Sequence, residues 1–228
     1  MPALRAATAV LVLAAGPTAT QREVSFPTPD GGIVNADVYG AGARGVVLAH
    51  GGRFDKASWE KQGRALAEAG FRALAIDFRA AVQSRAGQES PCLYDEVCLA
   101  VDVLATVRYL RHSGAKTVSI VGASLGGGGA AQAAVEAGPG EIDRIVLLAH
   151  MPIATPERMK GRKLFITSRG DLGSGDVPRL PGIRDQYEKA PGPKELVILE
   201  GSAHAQFLFA TDQAERLMRE ILRFLSEP

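Results

Sequence analysis

The sequence predicts an α/β fold: a central, mostly parallel sheet with an antiparallel N-terminal edge and helices on both faces. Three observations lead there. Short runs rich in Val, Ile and Leu recur along the chain, each continuously apolar rather than alternating, as strands covered on both faces require. Stretches of helical length separate them. The first two strand candidates are joined by Pro29-Asp30-Gly31-Gly32, a turn composition that folds a chain back on itself. A hairpin followed by repeated strand–helix units builds a parallel sheet with an antiparallel edge.

The hairpin strands are 23–26 and 33–38. The apolar runs that follow are 45–48 (GVVL), 72–76 (RALAI), 117–121 (TVSIV), 144–148 (RIVLL), 163–167 (KLFIT) and 195–199 (ELVIL). Helix candidates occupy 59–69, 94–111, 125–137, 183–189 and 211–225. The last carries Ala214, Leu217, Ile221, Leu222 and Leu225 on one stripe of 3.6-residue period.

Bulk properties narrow the function classes. A chain of 228 residues with no internal repeat, low-complexity tract or linker reads as one domain, here 21–228. Its net charge is +1, and no stretch concentrates Lys and Arg. Binding a polyanion takes a basic face that neutralises phosphates, so no nucleic acid partner is expected.

Residues 1–20 have the order of a secretory signal: Arg5 near the start, an apolar run over 6–15, then Gly16, Pro17 and small residues. The expectation is an exported protein, periplasmic or secreted, with a cytoplasmic one as the alternative. The run is shorter than the roughly 20 residues that span a bilayer, so no stable membrane insertion is expected. Cys92 and Cys98, six positions apart, suit a local disulfide in an exported protein or a pair of small buried thiols. With the histidines scattered, no metal site is expected.

In open parallel sheets, sites collect at the carboxyl ends of strands. After 117–121 the chain reads Gly122-Ala123-Ser124-Leu125-Gly126, continuing in glycine to Gly129. With 26 glycines in the chain, G-x-S-x-G alone is weak, and its context of strand before and helix after supplies the weight. A nucleophile on a tight strand-to-helix turn needs small residues two positions either side, and it sits where the helix dipole favours developing negative charge. Ser124 is the candidate nucleophile.

A second motif, His50-Gly51-Gly52-Arg53, directly follows 45–48. Acyl transfer needs two backbone donors at the developing oxyanion. One is expected from Leu125, the residue after the nucleophile, and the other from Gly52 or Arg53. His50 is expected to support this loop or line a pocket.

Only His150 and His204 follow the nucleophile. His204 lies in the loop between the last strand and the last helix, which makes it the candidate base. His150 ends 144–148 and is assigned a pocket position, while His112 closes a helix, where positive charge suits the C-terminus. The acid is expected after 163–167, where Asp171 is the first carboxylate and Asp176 the fallback. Its task is to accept the second ring N–H of the base.

The order Ser124, Asp171, His204, with the elbow and the His-Gly loop, resembles the α/β-hydrolase superfamily from about Arg22 to the C-terminus. Ile76-Asp77-Phe78-Arg79 is similar to the family's fourth-strand terminus, although Ala80-Ala81-Val82 stand where glycines are common. Only about fourteen residues separate Leu148 from Lys163, too few for a large helical cap. The uncapped chain resembles the dienelactone hydrolase-like and carboxylesterase branch, with serine in place of the cysteine that dienelactone hydrolases use. The resemblance implies a serine ester hydrolase that cleaves small acyl or aryl esters through an acyl-enzyme, with no cofactor and a small-molecule ester as partner. A lactonase, thioesterase or serine peptidase on the same scaffold is the alternative, and a non-catalytic binding module a more distant one.

Overall fold

A computed structural model describes residues 21–89, 92 and 94–227; the signal expected over 1–20 lies outside them. Eight strands form one sheet in the order β1-β2-β4-β3-β5-β6-β7-β8. The strands are β1 (Arg22–Pro27), β2 (Ile33–Tyr39), β3 (Arg44–Ala49), β4 (Phe71–Asp77), β5 (Thr117–Ala123), β6 (Arg144–Leu148), β7 (Arg162–Ser168) and β8 (Lys194–Leu199). β2 is antiparallel to both β1 and β4, and every other pairing is parallel. The expected hairpin is there. Thr28 N–H donates to Gly32 O at 2.9 Å and Gly31 N–H to Thr28 O at 3.0 Å, closing the turn around the glycines.

Among the described residues six α-helices cover the sheet: α1 (Glu60–Glu68), α2 (Arg79–Arg85), α3 (Glu96–His112), α4 (Leu125–Glu136), α5 (Leu180–Lys189) and α6 (Ala214–Ser226). Successive side chains of a strand point to opposite faces, and β3 displays this within the buried core. Val46 and Leu48 pack with Trp59 just before α1, with Leu66 of α1, and with Leu217, Ile221 and Phe224 of α6. Val47 and Ala49 pack on the other side with α3, α4 and Ile183 of α5. The sheet is thus buried on both faces, which is why its inner strands read as unbroken apolar runs rather than alternating ones.

The structure adds α2 where the sequence reading left a loop. Ala80-Ala81-Val82 lies within a seven-residue helix after β4, with Ala80 and Ala81 buried. Arg79 anchors its start: its backbone N–H and Nε donate to Asp102 at 3.0 and 2.6 Å, and its two terminal nitrogens reach Asp30 at 2.9 Å each. One guanidinium therefore joins the hairpin turn, α2 and α3. Cys92 and Cys98 form a disulfide at the start of α3. Asp95 caps that helix, accepting from Val97 N–H at 2.8 Å and Cys98 N–H at 3.1 Å.

Candidate active site

Ser124 sits between β5 and α4 with φ 50° and ψ −114°, a backbone state that costs a non-glycine residue about 1–3 kcal/mol. The surroundings hold it there. Ser124 N–H donates to Leu148 O at 2.9 Å, and Ser124 O accepts from Met151 N–H at 2.9 Å and Gly128 N–H at 3.0 Å. The flanking glycines are dictated by space. A Cβ at Gly122 would lie 2.5 Å from Gly126 O, and one at Gly126 would lie 2.5 Å from both Ala49 O and His50 O. The elbow therefore presses directly on the end of β3, and the seryl hydroxyl is left half-buried at the sheet edge.

That hydroxyl meets His204 at 2.8 Å through Nε2, and His204 Nδ1 lies 2.7 Å from Asp171 Oδ2. With the Ser124 hydroxyl and the Nδ1–H as donors, the three form one hydrogen-bonded chain across residues 124, 171 and 204. Strand ends explain the meeting. β7 and β8 pair in parallel register, and their outgoing loops are laced together: Arg169 N–H donates to Leu199 O at 2.9 Å, Gly170 N–H to Gly201 O at 2.8 Å, and Ser168 Oγ to Ala203 O at 2.6 Å. The Asp171 side chain is fully buried while that of His204 keeps 24% exposure, so the carboxylate is dry and the ring can reach a bound molecule. Among the described residues Asp171 Oδ1 has no hydrogen-bond partner, and Arg179 Nε stands 3.6 Å from it. Asp176, the fallback acid, is exposed in a 3₁₀ turn beyond the site.

Gly52, one of the two loop residues expected to offer a donor, lies against Leu125. Phe54 N–H donates to Gly51 O at 3.0 Å, which closes a turn over Gly51–Phe54. A Cβ on Gly52 would stand 3.6 Å from Leu125 Cδ1, so the backbone of Gly52 faces the first residue of α4. Gly51 is committed elsewhere, since its N–H donates to Gln206 Oε1 at 2.7 Å. Next to this turn a cavity of about 200 Å³ opens between Gly52, Arg53, Phe54 and Asp55 on one side and Ala81, Ser84 and Arg85 of α2 on the other. Phe54 also packs on Phe207, three residues after His204, with ring centroids 4.9 Å apart.

His50 and His150 do not line that cavity; both are buried, at 0% and 1% exposure. His50 supports the loop. Its Nδ1–H donates to Gly51 O at 2.8 Å and its Nε2 accepts from Phe78 N–H at 3.3 Å. A proton on Nε2 would face another donor there, and burial pushes its pKa down. His150 turns into the protein beneath α4, edge-on to Phe165 at 5.4 Å and beside Gln186.

Burial pushes the pKa of His150 from 6.5 down to about 4. Between those two values the unfolded chain carries a proton that the folded one lacks, so stability is complete above the upper value and is lost as pH falls. The loss from this ring approaches roughly 3 kcal/mol by pH 4, and His50 acts in the same direction. In His150→Leu the fall is expected to flatten. Urea midpoints at pH 7 and pH 4.5 check this, and an equal fall in wild type and variant would refute it.

Gln206 and Arg179 are the site neighbours that sequence reasoning left without a role. The position of Gln206 two residues after His204 says nothing of a partner 155 residues earlier in the chain. Arg179 follows a glycine-containing loop whose return to Asp171, through Arg179 N–H to Asp171 O at 2.9 Å, has no sequence signature.

A family model described as the alpha/beta hydrolase fold matches residues 45–166, more than half of the 228-residue chain. The match spans β3 to β7 and contains Ser124; Asp171 and His204 lie beyond it. No curated protein matches the chain significantly. Among solved structures, a dienelactone hydrolase from Anabaena variabilis superposes with TM-score 0.77 at 22% identity, over 90% of this chain and 96% of that one. An esterase from Pyrococcus furiosus gives 0.73 at 16% identity, over 91% and 92% of the two chains. A predicted CIB-like hydrolase from Thermoplasma acidophilum gives 0.70 at 21% identity, over 91% and 98%. At these identities the likeness is one of fold.

Proposed function

We propose, from the premise that the chain belongs to the α/β-hydrolase fold family, that it is a serine ester hydrolase acting through an acyl-enzyme on small acyl or aryl esters. The observation that carries this reading is the unbroken chain Ser124 Oγ–His204–Asp171, with contacts of 2.8 and 2.7 Å, set at a strained elbow. A hydroxyl held against an imidazole whose far nitrogen is fixed by a carboxylate can lose its proton as it attacks a carbonyl carbon. In the first step, Ser124 Oγ bonds to that carbon, its proton passes to His204 Nε2, and the carbonyl oxygen becomes an oxyanion. Leu125 N–H and the N–H of Gly52 or Arg53 receive it, with the N-terminal end of α4 adding favourable potential. His204 then protonates the departing alcohol. Water repeats the sequence on the acyl-enzyme, giving its proton to His204 and releasing the acid.

The short stretch between Leu148 and Lys163 leaves no room for a large cap, so the site offers little enclosed surface to a long chain, which favours a short acyl group. Export of the protein remains part of this proposal, resting on residues 1–20 alone.

Two measurements on the same preparation test the reading. A fluorophosphonate should add one adduct to the peptide containing Ser124, and p-nitrophenyl butyrate should turn over with a kcat/KM about tenfold or more above that of the hexadecanoate. Labelling of a different residue, or none, would overturn the serine mechanism. Faster cleavage of the hexadecanoate would overturn the short-acyl assignment.

A further inference from the structure

Gln206 lies two residues after His204 and is buried to 6% exposure, yet it plays no part in proton transfer. Its amide uses both ends. Oε1 accepts from Gly51 N–H at 2.7 Å, and Nε2 donates to Ser58 Oγ at 2.8 Å. Ser58 Oγ donates onward to Asp55 O at 2.5 Å, and Ser58 N–H lies 3.3 Å from Asp55 Oδ1. One side chain therefore holds the start and the end of the segment 51–58 that carries Gly52 and Arg53.

We propose that Gln206 is a positioning residue, latching the loop that supplies an oxyanion donor to the loop that supplies the base; the proposal rests on the serine hydrolase reading above. Ala205, between the two, has φ 48°. This left-handed residue lets a three-residue segment send His204 to Ser124 and Gln206 to Gly51. Gly51 is sandwiched there, since a Cβ on it would be 3.5 Å from both Gln206 Oε1 and Ser124 Cβ. By taking the Gly51 N–H, Gln206 removes it from the set of donors open to substrate and fixes the turn from which the next N–H groups project. The Phe54–Phe207 ring contact joins the same two loops on their exposed side.

Glutamine is the side chain this latch requires, because it presents an acceptor and a donor from one planar group. Glutamate keeps the acceptor toward Gly51 but turns a second acceptor toward Ser58. Methionine fills a similar volume with neither. Oxyanion stabilisation depends on donors held at about 2.7–3.1 Å from the developing charge, and a misplacement of about 1 Å can cost on the order of a hundredfold. The effect should therefore appear in the transition state rather than in substrate binding.

The test compares wild type, Ser124→Ala, Gln206→Met, Gln206→Glu and Ser58→Ala on p-nitrophenyl butyrate, with thermal melting of each. Gln206→Met should lower kcat about tenfold to a hundredfold with KM within about twofold, and weaken a trifluoromethyl ketone inhibitor by the same factor as kcat. Gln206→Glu and Ser58→Ala, which each break half the latch, should lose about three- to tenfold in kcat at unchanged KM. If Gln206→Met fails to fold, these two variants decide the matter. Wild-type kcat and inhibitor affinity in the variants that fold would overturn the latch while leaving the hydrolase reading intact. Absence of ester turnover and of serine labelling in the wild type would instead overturn that reading, and the latch with it.

Discussion

Ser124→Ala is expected to lower the turnover of p-nitrophenyl butyrate by about 10⁴- to 10⁶-fold while leaving the fold unchanged. Alanine takes the same left-handed backbone at the same cost, and the hydrogen bonds that hold the elbow run through the backbone of residue 124 rather than its hydroxyl. What is lost, on the proposed mechanism, is the atom that forms the acyl-enzyme. Rapid mixing of excess substrate with the wild type should give a burst of p-nitrophenol stoichiometric with enzyme, provided deacylation is the slower half. The variant should give none. Residual turnover would reflect the oxyanion donors alone, since they still bind the transition state of direct attack by water. Equal rates in the two proteins would remove Ser124 as the nucleophile and with it the whole mechanism.

The second large effect is expected at Asp171. Asp171→Asn should cost about three to four orders of magnitude in kcat, far more than a lost surface charge. The reason lies in the second carboxyl oxygen. Among the described residues Oδ1 has no hydrogen bond, but Arg179 Nε stands 3.6 Å away. An asparagine has a single acceptor oxygen, and the guanidinium draws that oxygen to itself. The amide NH₂ then faces His204 Nδ1 and forces the ring proton onto Nε2, where it points at Ser124 and blocks proton transfer. Steady-state kinetics of Asp171→Asn beside Asp176→Asn would settle the assignment. The exposed Asp176 should be nearly silent, and a large loss there with a small one at Asp171 would reverse the roles.

Much of this architecture is legible in the sequence, for physical reasons that differ from part to part. β5 was readable because a strand buried on both faces must be continuously apolar, and the elbow after it because only glycine fits at 122 and 126, where a Cβ would strike backbone oxygens at 2.5 Å. Ser124, Asp171 and His204 stand out because each follows a strand whose carboxyl end lies on one edge of the sheet, and their order is read from the resemblance to the α/β-hydrolase superfamily. Other features depend on contacts between distant segments, which leave no periodic trace. The helix at Arg79–Arg85 rests on a bridge from Arg79 to Asp102 and Asp30, and nothing local in Ala80-Ala81-Val82 announces it. His50 and His150 looked alike as strand-end histidines beside the site. One is a bonded support of the loop and the other a ring buried against Phe165 inside the core, a distinction set by what packs over them. The Gln206 amide is another such contact.

The four consecutive glycines that open α4 carry a consequence for how this protein acquires its chemistry. Each is worse than alanine in a helix by about 0.8–1.0 kcal/mol, so a peptide of this sequence would be a poor helix on its own. Close approach is what the glycines make possible: a Cβ at Gly127 would lie 2.6 Å from His150 Cβ, and one at Gly129 2.8 Å from Leu99 Cβ. The helix that aims the serine is therefore maintained by the surfaces of β3, β6 and α3 rather than by its own propensity. On the proposed mechanism, a nascent or unfolded chain carries only an ordinary serine, and reactivity toward acyl donors arises with the finished tertiary structure. Covalent labelling of Ser124 would consequently count natively folded molecules, and partly folded ones would be chemically silent.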